Sequence, residues 1–352
     1  MSLERLKKAA VQGDAATVRS TLKRSPGLAG EWKPLLDACY RGHAEVVSAL
    51  LAAGADPTVE SGSRWRARPL HRVCEFQVTL PRSEGHVETL RALLAAGADP
   101  KARTPRGETP LMLAAIAGEP SMVALLRRRV RDLDAATAAL LGDAEHLGAL
   151  LEQQPRRARA AARSGATPLW YCARSRLPLA NGRFRRGVLE CAGTLLRAGA
   201  SPNPVVAEGG PALFQALAHA RNPELAELLL EAGAQPGDGG TPVHVHTHFP
   251  HLLEALDWLI ERGTNLDAQA DPDASTALHM AVRNGYLRVI RFLLERGADP
   301  GLKDANGRTA LDLAREQGRA PLIAALEGAA SGKAAPRAPR KRARRAEPRA
   351  AL

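Results

Sequence analysis

The phrase Gly-Ala-Asp-Pro stands at 54–57, 97–100 and 297–300, with Gly-Ala-Ser-Pro at 199–202 and Gly-Ala-Gln-Pro at 233–236. Glycines 199, 233, 263 and 297 follow one another at intervals of 34, 30 and 34 residues. A fixed period of this size constrains the fold strongly: a unit of about 33 residues cannot bury its own apolar face and must stack on its neighbours. Between these markers a second phrase recurs, as Thr109-Pro110-Leu111, Thr167-Pro168-Leu169, Thr241-Pro242-Val243-His244 and Thr276-Ala277-Leu278-His279, and without its Thr as Arg68-Pro69-Leu70-His71.

Each position has a local physical reading. The Thr hydroxyl caps a first helix, and Pro fits the first turn, where no donor is lost. Gly42, Gly118 and Gly285 permit a left-handed turn into a second helix, which Gly54, Gly97 and Gly297 then stop. Small residues such as Ala38, Ala114 and Ala281 let helices of neighbouring units approach closely. Aromatics make up only 3% of the chain, and Val, Ile and Thr are scattered singly, so the chain reads as all-α.

These phrases resemble the ankyrin-repeat family, whose unit reads T-P-L-H-x-A, then G-H, an aliphatic run and G-A-D. Residues 275–307 match nearly throughout, and about ten units of uneven quality fill residues 1 to 330. The resemblance implies a solenoid of stacked helix-turn-helix units joined by short β-hairpin-like fingers, and a last, truncated unit at 308–328. Ala9 to Ala15 and Ala138 to Ala144 are alike and resemble the shortened unit that opens such arrays. The second lies mid-chain, after Arg129-Val130-Arg131-Asp132 has replaced Gly-Ala-Asp-Pro. It marks either a joint near residue 132 or a merely degenerate unit. The expected organisation is a first block over 1–131, a second over 132–330 continuous with it, and a tail over 331–352.

Departures from the period are the candidate sites of specificity. Two insertions, Phe76–Gly85 and Arg174–Gly187, fall between the first and second helices of a unit. The second contains Arg183 and Phe184 and reads either as a contact loop or as a tolerated surface insertion. Arg64, Trp65 and Arg66 sit where a finger is expected, and a Trp between arginines suits an interface, unless it folds back over the adjoining unit. By resemblance, partners also meet the position after the Thr-Pro-Leu-His phrase, which gives Asp37, Arg72, Leu113, Tyr171, Gln215, Val245 and Met280. That row is chemically mixed and implies no single ligand class. The expected function is a non-enzymatic module that binds partner proteins through the concave helix face and the fingers, as a monomer.

The charge is +12, and residues 333–352 hold eight Lys or Arg against Glu347, leaving +5 for the rest. Such a tail cannot bury a core and reads as disordered. It is either a nuclear-import or phosphate-contacting segment, the basis of an alternative nucleic-acid-associated function, or a solubilising run in an arginine-rich chain of 41 Arg and 8 Lys. His244, His246, His248 and His251 form the nearest approach to a metal site. His244 is the histidine of the repeat phrase, however, and no carboxylate or cysteine completes a ligand set, so no metal or other cofactor is expected. Cys39, Cys74, Cys172 and Cys191 lack a C-x-x-C pairing and read as core residues. No nucleophile elbow, phosphate loop or H-E-x-x-H occurs. Neither a signal-like segment at Met1–Ser20 nor a run of about 18 apolar residues is present. A cytoplasmic protein is expected, with a nuclear location open only in a eukaryotic host.

Overall fold

A computed structural model of the chain describes residues 2–62, 66–75, 84–204, 206, 210–235, 252–269 and 273–330. Among these residues there is no sheet; the architecture is paired helices. The His244–His251 cluster, the Phe76–Arg82 stretch, Arg64, Trp65, Val245 and the basic tail lie outside them.

The helices are α1 Ser2–Gln12, α2 Ala15–Arg24, α3 Trp32–Arg41, α4 Ala44–Ala52, α5 Pro69–Cys74, α6 Glu84–Ala95, α7 Pro110–Ala117, α8 Pro120–Arg127, α9 Ala135–Leu141, α10 Ala144–Gln153, α11 Pro168–Arg174 and α12 Gly182–Arg197. Then come α13 Ala212–Phe214, running into a π-helical turn Gln215–His219, and α14 Pro223–Glu231. The last are α15 Leu252–Glu261, α16 Ala277–Asn284, α17 Leu287–Glu295, α18 Ala310–Glu316 and α19 Ala320–Ala330.

The repeat phrases do locally what their chemistry requires. Thr109, Thr167, Thr276 and Thr309 each accept the backbone N–H three residues on, at 3.2–3.4 Å, and so start α7, α11, α16 and α18. Asp14, Asp134 and Asp143 do the same for α2, α9 and α10 at 2.8–3.2 Å. Gly42, Gly118, Gly142 and Gly285 adopt φ between 68° and 79° at the turn between paired helices, where a side chain would be strained.

The chain divides into two compact units, one comprising residues up to Pro204 with Ala220–Leu225, the other the remainder. In the first, α1, α3, α5, α7, α9 and α11 stack in chain order. Second helices stack beside them, α2 on α4, α4 on α6, α6 on α8 and α10 on α12. The small residues Ala38, Ala114 and Ala138 are completely buried between neighbours. Stacking of first helices continues across residue 132: α7 packs on α9, and Arg103 reaches Asp134 at 2.9 Å. The division into units falls near residue 204. In the second unit α16 packs on α18 and α17 on α19.

Histidines of the repeat phrase tie one unit to the next. His71 Nδ1 accepts from the Arg68 N–H at 3.1 Å while its Nε2 donates to the Ala102 carbonyl at 3.0 Å. His279 repeats this arrangement with Thr276 N–H and the Arg308 carbonyl. Burial holds the His71 pKa below its ordinary value, keeping the ring neutral and able to accept and donate at once.

The second insertion is not a loop. Leu177–Leu179 forms a 3-10 turn, Leu177 is completely buried, and Asn181 caps α12, which extends over sixteen residues. The Arg176 N–H donates to the Ala115 carbonyl at 3.3 Å, so this segment reaches back past α9 to α7.

Candidate partner-binding surfaces

Around α3 and α5 an aromatic and cationic surface is assembled from two adjacent first helices. The Arg72 guanidinium lies 4.2 Å from the centre of the Tyr40 ring and is also paired with Glu75. Trp32, at the start of α3, is 37% exposed, and its indole lies against Gly62 of the following finger, where a Cβ would be 3.6 Å from the ring. Glu60 closes that finger: its carboxylate accepts from Arg66 at 2.7 Å and from Arg68 at 2.9 Å. These bonds, from Arg68 first and then Arg66, hold the Glu60 pKa below the ordinary value. Arg66 is exposed with φ of 41°, while Arg64 and Trp65 beside it lie outside the described residues.

Of the other expected contact residues, Arg183 is exposed, Phe184 is half-buried and Met280 is half-buried beside Arg283. Tyr171 and Gln215 are not presented. Tyr171 is 3% exposed, edge-on to Trp170 with ring centres 5.3 Å apart, and burial pushes its hydroxyl up to about 12. Gln215 is 2% exposed within the π-helical turn.

Sequence reading missed Tyr40 and Trp32, although both are aromatic residues on a first helix. Their signal was the rarity of aromatics in this chain. It also missed the carboxylates that organise the arginines. Arg174 bonds Glu108 at 3.1 Å, and Arg283 bridges Asp273 and Asp304. Asp304 is enclosed, with Arg308 on its other side at 2.9 Å. No group of three or more His, Cys, Asp or Glu side chains poised for a metal occurs among the described residues. The four cysteines are buried thiols, and burial raises those of Cys39, Cys172 and Cys191. This arrangement offers apolar, aromatic and guanidinium contacts, the chemistry of recognition. No helix of the described residues is long and apolar enough to cross a membrane.

Comparison with known proteins agrees with the helix pairing. Ankyrin-repeat models match residues 31–61, 70–204, 213–304 and 244–329, well over half of the chain. A probable E3 ubiquitin-protein ligase of Oryza sativa subsp. japonica, XBOS34, is 38% identical over 92 residues, 26% of this chain and 18% of the relative. Human ankyrin repeat and SOCS box protein 16 is 34% identical over 133 residues, 37% of this chain and 29% of the relative. A putative ankyrin repeat-containing protein of Treponema pallidum (strain Nichols) is 38% identical over 96 residues, 26% of this chain and 32% of the relative. The matched stretches thus span a third or less of these relatives. A solved complex of the Bdellovibrio bacteriovorus predatory endopeptidase Bd0816 with immunity protein Bd3460 aligns with a TM-score of 0.39 at 25% identity, over 56% of this chain and 97% of that one.

Proposed function

This chain belongs to the ankyrin-repeat family, and on that premise we propose that it is a non-enzymatic module that holds a partner protein against its first helices and fingers. The observation that carries this reading is the Arg72 guanidinium stacked on Tyr40, with the exposed Trp32 at the other end of the same helix as Tyr40, against the finger. Trp, Tyr and Arg are the residue types that dominate interface energetics. Ion pairing with Glu75 and stacking on Tyr40 limit the motion of Arg72, so less side-chain entropy is lost when a partner binds. Arg66, and by sequence position Arg64 and Trp65, extend the surface along the finger, with Met280, Arg183 and Phe184 as further contact points in their own units.

The test is affinity capture from the source organism with the full chain and with a W32A/Y40A/R72A variant of unchanged melting temperature. The reading expects proteins that the parent retains and the variant releases. Identical captured sets from both would overturn it.

The tail's eight cations against one acid favour a second reading, association with nucleic acid through residues 333–352. That reading requires salt-sensitive DNA or RNA binding that disappears when these residues are deleted, whereas the first requires partner capture to survive the deletion.

A further inference from the structure

The positive charge of the folded region is concentrated in one stretch. Residues 127–204 hold fourteen arginines against six acids, so the fold has a basic block of its own besides the tail. Four of these arginines lie on α12. Its solvent side presents Arg183, Arg186, Glu190, Gly193 and Arg197, at the three- and four-residue steps that share one helical face. The rise from Arg183 to Arg197 makes this strip about 21 Å long. From the preceding unit, Arg159 lays its guanidinium against Gly199, two residues beyond Arg197, and prolongs the strip. At the opposite end stands Leu179, 42% exposed, on the 3-10 turn that leads into the helix.

Arg183, Arg186, Arg197 and Arg159 have no carboxylate within ion-pair distance among the described residues, although Arg185 beside them pairs with Glu224 at 2.9 Å. The scaffold beneath is rigid. Leu177 and Pro178 are buried, Asn181 caps the helix, and Val188, Cys191, Ala192 and Leu195 fill the inner face.

We propose that the outer face of α12 docks an acidic polypeptide segment whose apolar side chain anchors on Leu179. Four guanidiniums without a carboxylate partner, of which Arg197 donates to the Thr194 hydroxyl at 3.1 Å, match carboxylates spaced along such a segment. The terminal leucine adds an apolar contact that a phosphate backbone cannot use. Glu190 at mid-strip points the same way: a duplex carries about one charge per 1.7 Å of its axis and would set phosphates against that carboxylate, whereas a polypeptide can place a neutral or basic residue there. The strip positions carry no aromatic side chain for bases to stack on, and Phe184 beside Arg183 is half-buried. This surface is separate from the Trp32–Tyr40–Arg72 face, so either can fail alone.

The experiment uses fluorescence anisotropy on the full chain with three probes: a labelled glutamate-rich peptide of about sixteen residues ending in leucine, its Leu-to-Ser counterpart, and a duplex DNA of about twenty base pairs. R183E/R186E is compared with R5E/R19E, which changes net charge equally at a distant exposed place. Acidic residues near a helix N-terminus favour the helix, so R183E/R186E keeps its fold; equal melting curves check this, and R183A/R186A replaces it if they differ. The strip reading expects R183E/R186E to weaken the leucine peptide about tenfold and R5E/R19E about twofold or less. It also expects the Leu-to-Ser change to weaken binding to the parent but not to L179A. Equal losses in the two double variants would overturn the proposal in favour of net charge and the tail. Tighter binding of DNA with the same dependence on Arg183 and Arg186 would overturn it in favour of nucleic acid.

Discussion

Arg174 donates through Nη1 to Glu108 Oε1 at 3.1 Å, joining residues sixty-six positions apart. Glu108 precedes α7 and Arg174 closes α11, so the bond passes over α9, whose Ala-Ala-Thr-Ala-Ala sequence leaves room for it. The same guanidinium lies 4.7 Å from the centre of the Trp170 ring. One side chain therefore ties two units across the one that lies between them in the chain.

The pair is largely enclosed, with side-chain exposures of 20% and 9%, so removing one partner leaves a charge poorly hydrated. R174A should cost about 2–3 kcal/mol in chemical denaturation. E108Q/R174M should cost less than the sum of its single variants. A cost for R174A no larger than that of an exposed arginine such as Arg128 would refute the account.

Acid should weaken the C-terminal units. Hydrogen bonding from Arg283 holds the Asp273 carboxyl at about 2. For Asp304, burial acts to raise the pKa, but backbone and guanidinium bonds from Arg308 outweigh it and bring it to about 2. Both folded values lie below the ordinary carboxylate value near 3.8. Their stabilisation is therefore complete above about pH 4 and lost as the pH falls towards 2. A melting temperature followed across this window should fall for the parent and fall less steeply for D273N/D304N. Parallel curves would count against the assignment.

Gly187 of α12 packs directly on the backbone of Gly142, where a Cβ would collide with the Gly142 carbonyl oxygen. Backbone cannot move aside as a side chain can. G187A should cost about 1–3 kcal/mol, whereas G182A, with open space around its Cα, should be neutral or slightly stabilising. Thermal melts of the two variants measure the difference, and equal behaviour would show that the helices slide apart without cost.

Arg221 has φ of 53° and stands between α13 and α14 where other units place a left-handed glycine. R221G should raise stability by about 0.5–1 kcal/mol, the relief of left-handed strain less the entropy glycine loses on folding. A lower melting temperature for R221G would mean that the arginine side chain makes a contact outweighing its backbone strain.

Much of the fold is legible in the sequence because each unit's rules are local. Thr109, Thr167 and Thr276 cap helices that begin one residue later, and Ala38 and Ala114 are small because their neighbours lie one unit away at a fixed spacing. Arg72 is picked out by its place in the repeat phrase, and Arg183 by the insertion that breaks the period. Tyr171 and Gln215 occupy the same position in their units as Arg72 yet are covered, Tyr171 on a helix packed closely against α9 and Gln215 where the π-helical turn begins. Trp32 and Tyr40 escaped because the repeat phrase assigns them no role.

By itself, then, the sequence determined the helix-turn-helix unit, its caps and turns, the buried alanines and membership in a repeat family, since these depend on contacts within a unit or between successive units. Only the tertiary structure decided that the stretch from Arg174 to Gly187 is a 3-10 turn anchored by Leu177 and a lengthened helix, that Glu108 is the partner of Arg174, and that Arg159 reaches the end of that helix at Gly199. Those features join residues whose separation does not follow the period. Their pairing is set by volume and electrostatics in the assembled stack, which no local pattern encodes.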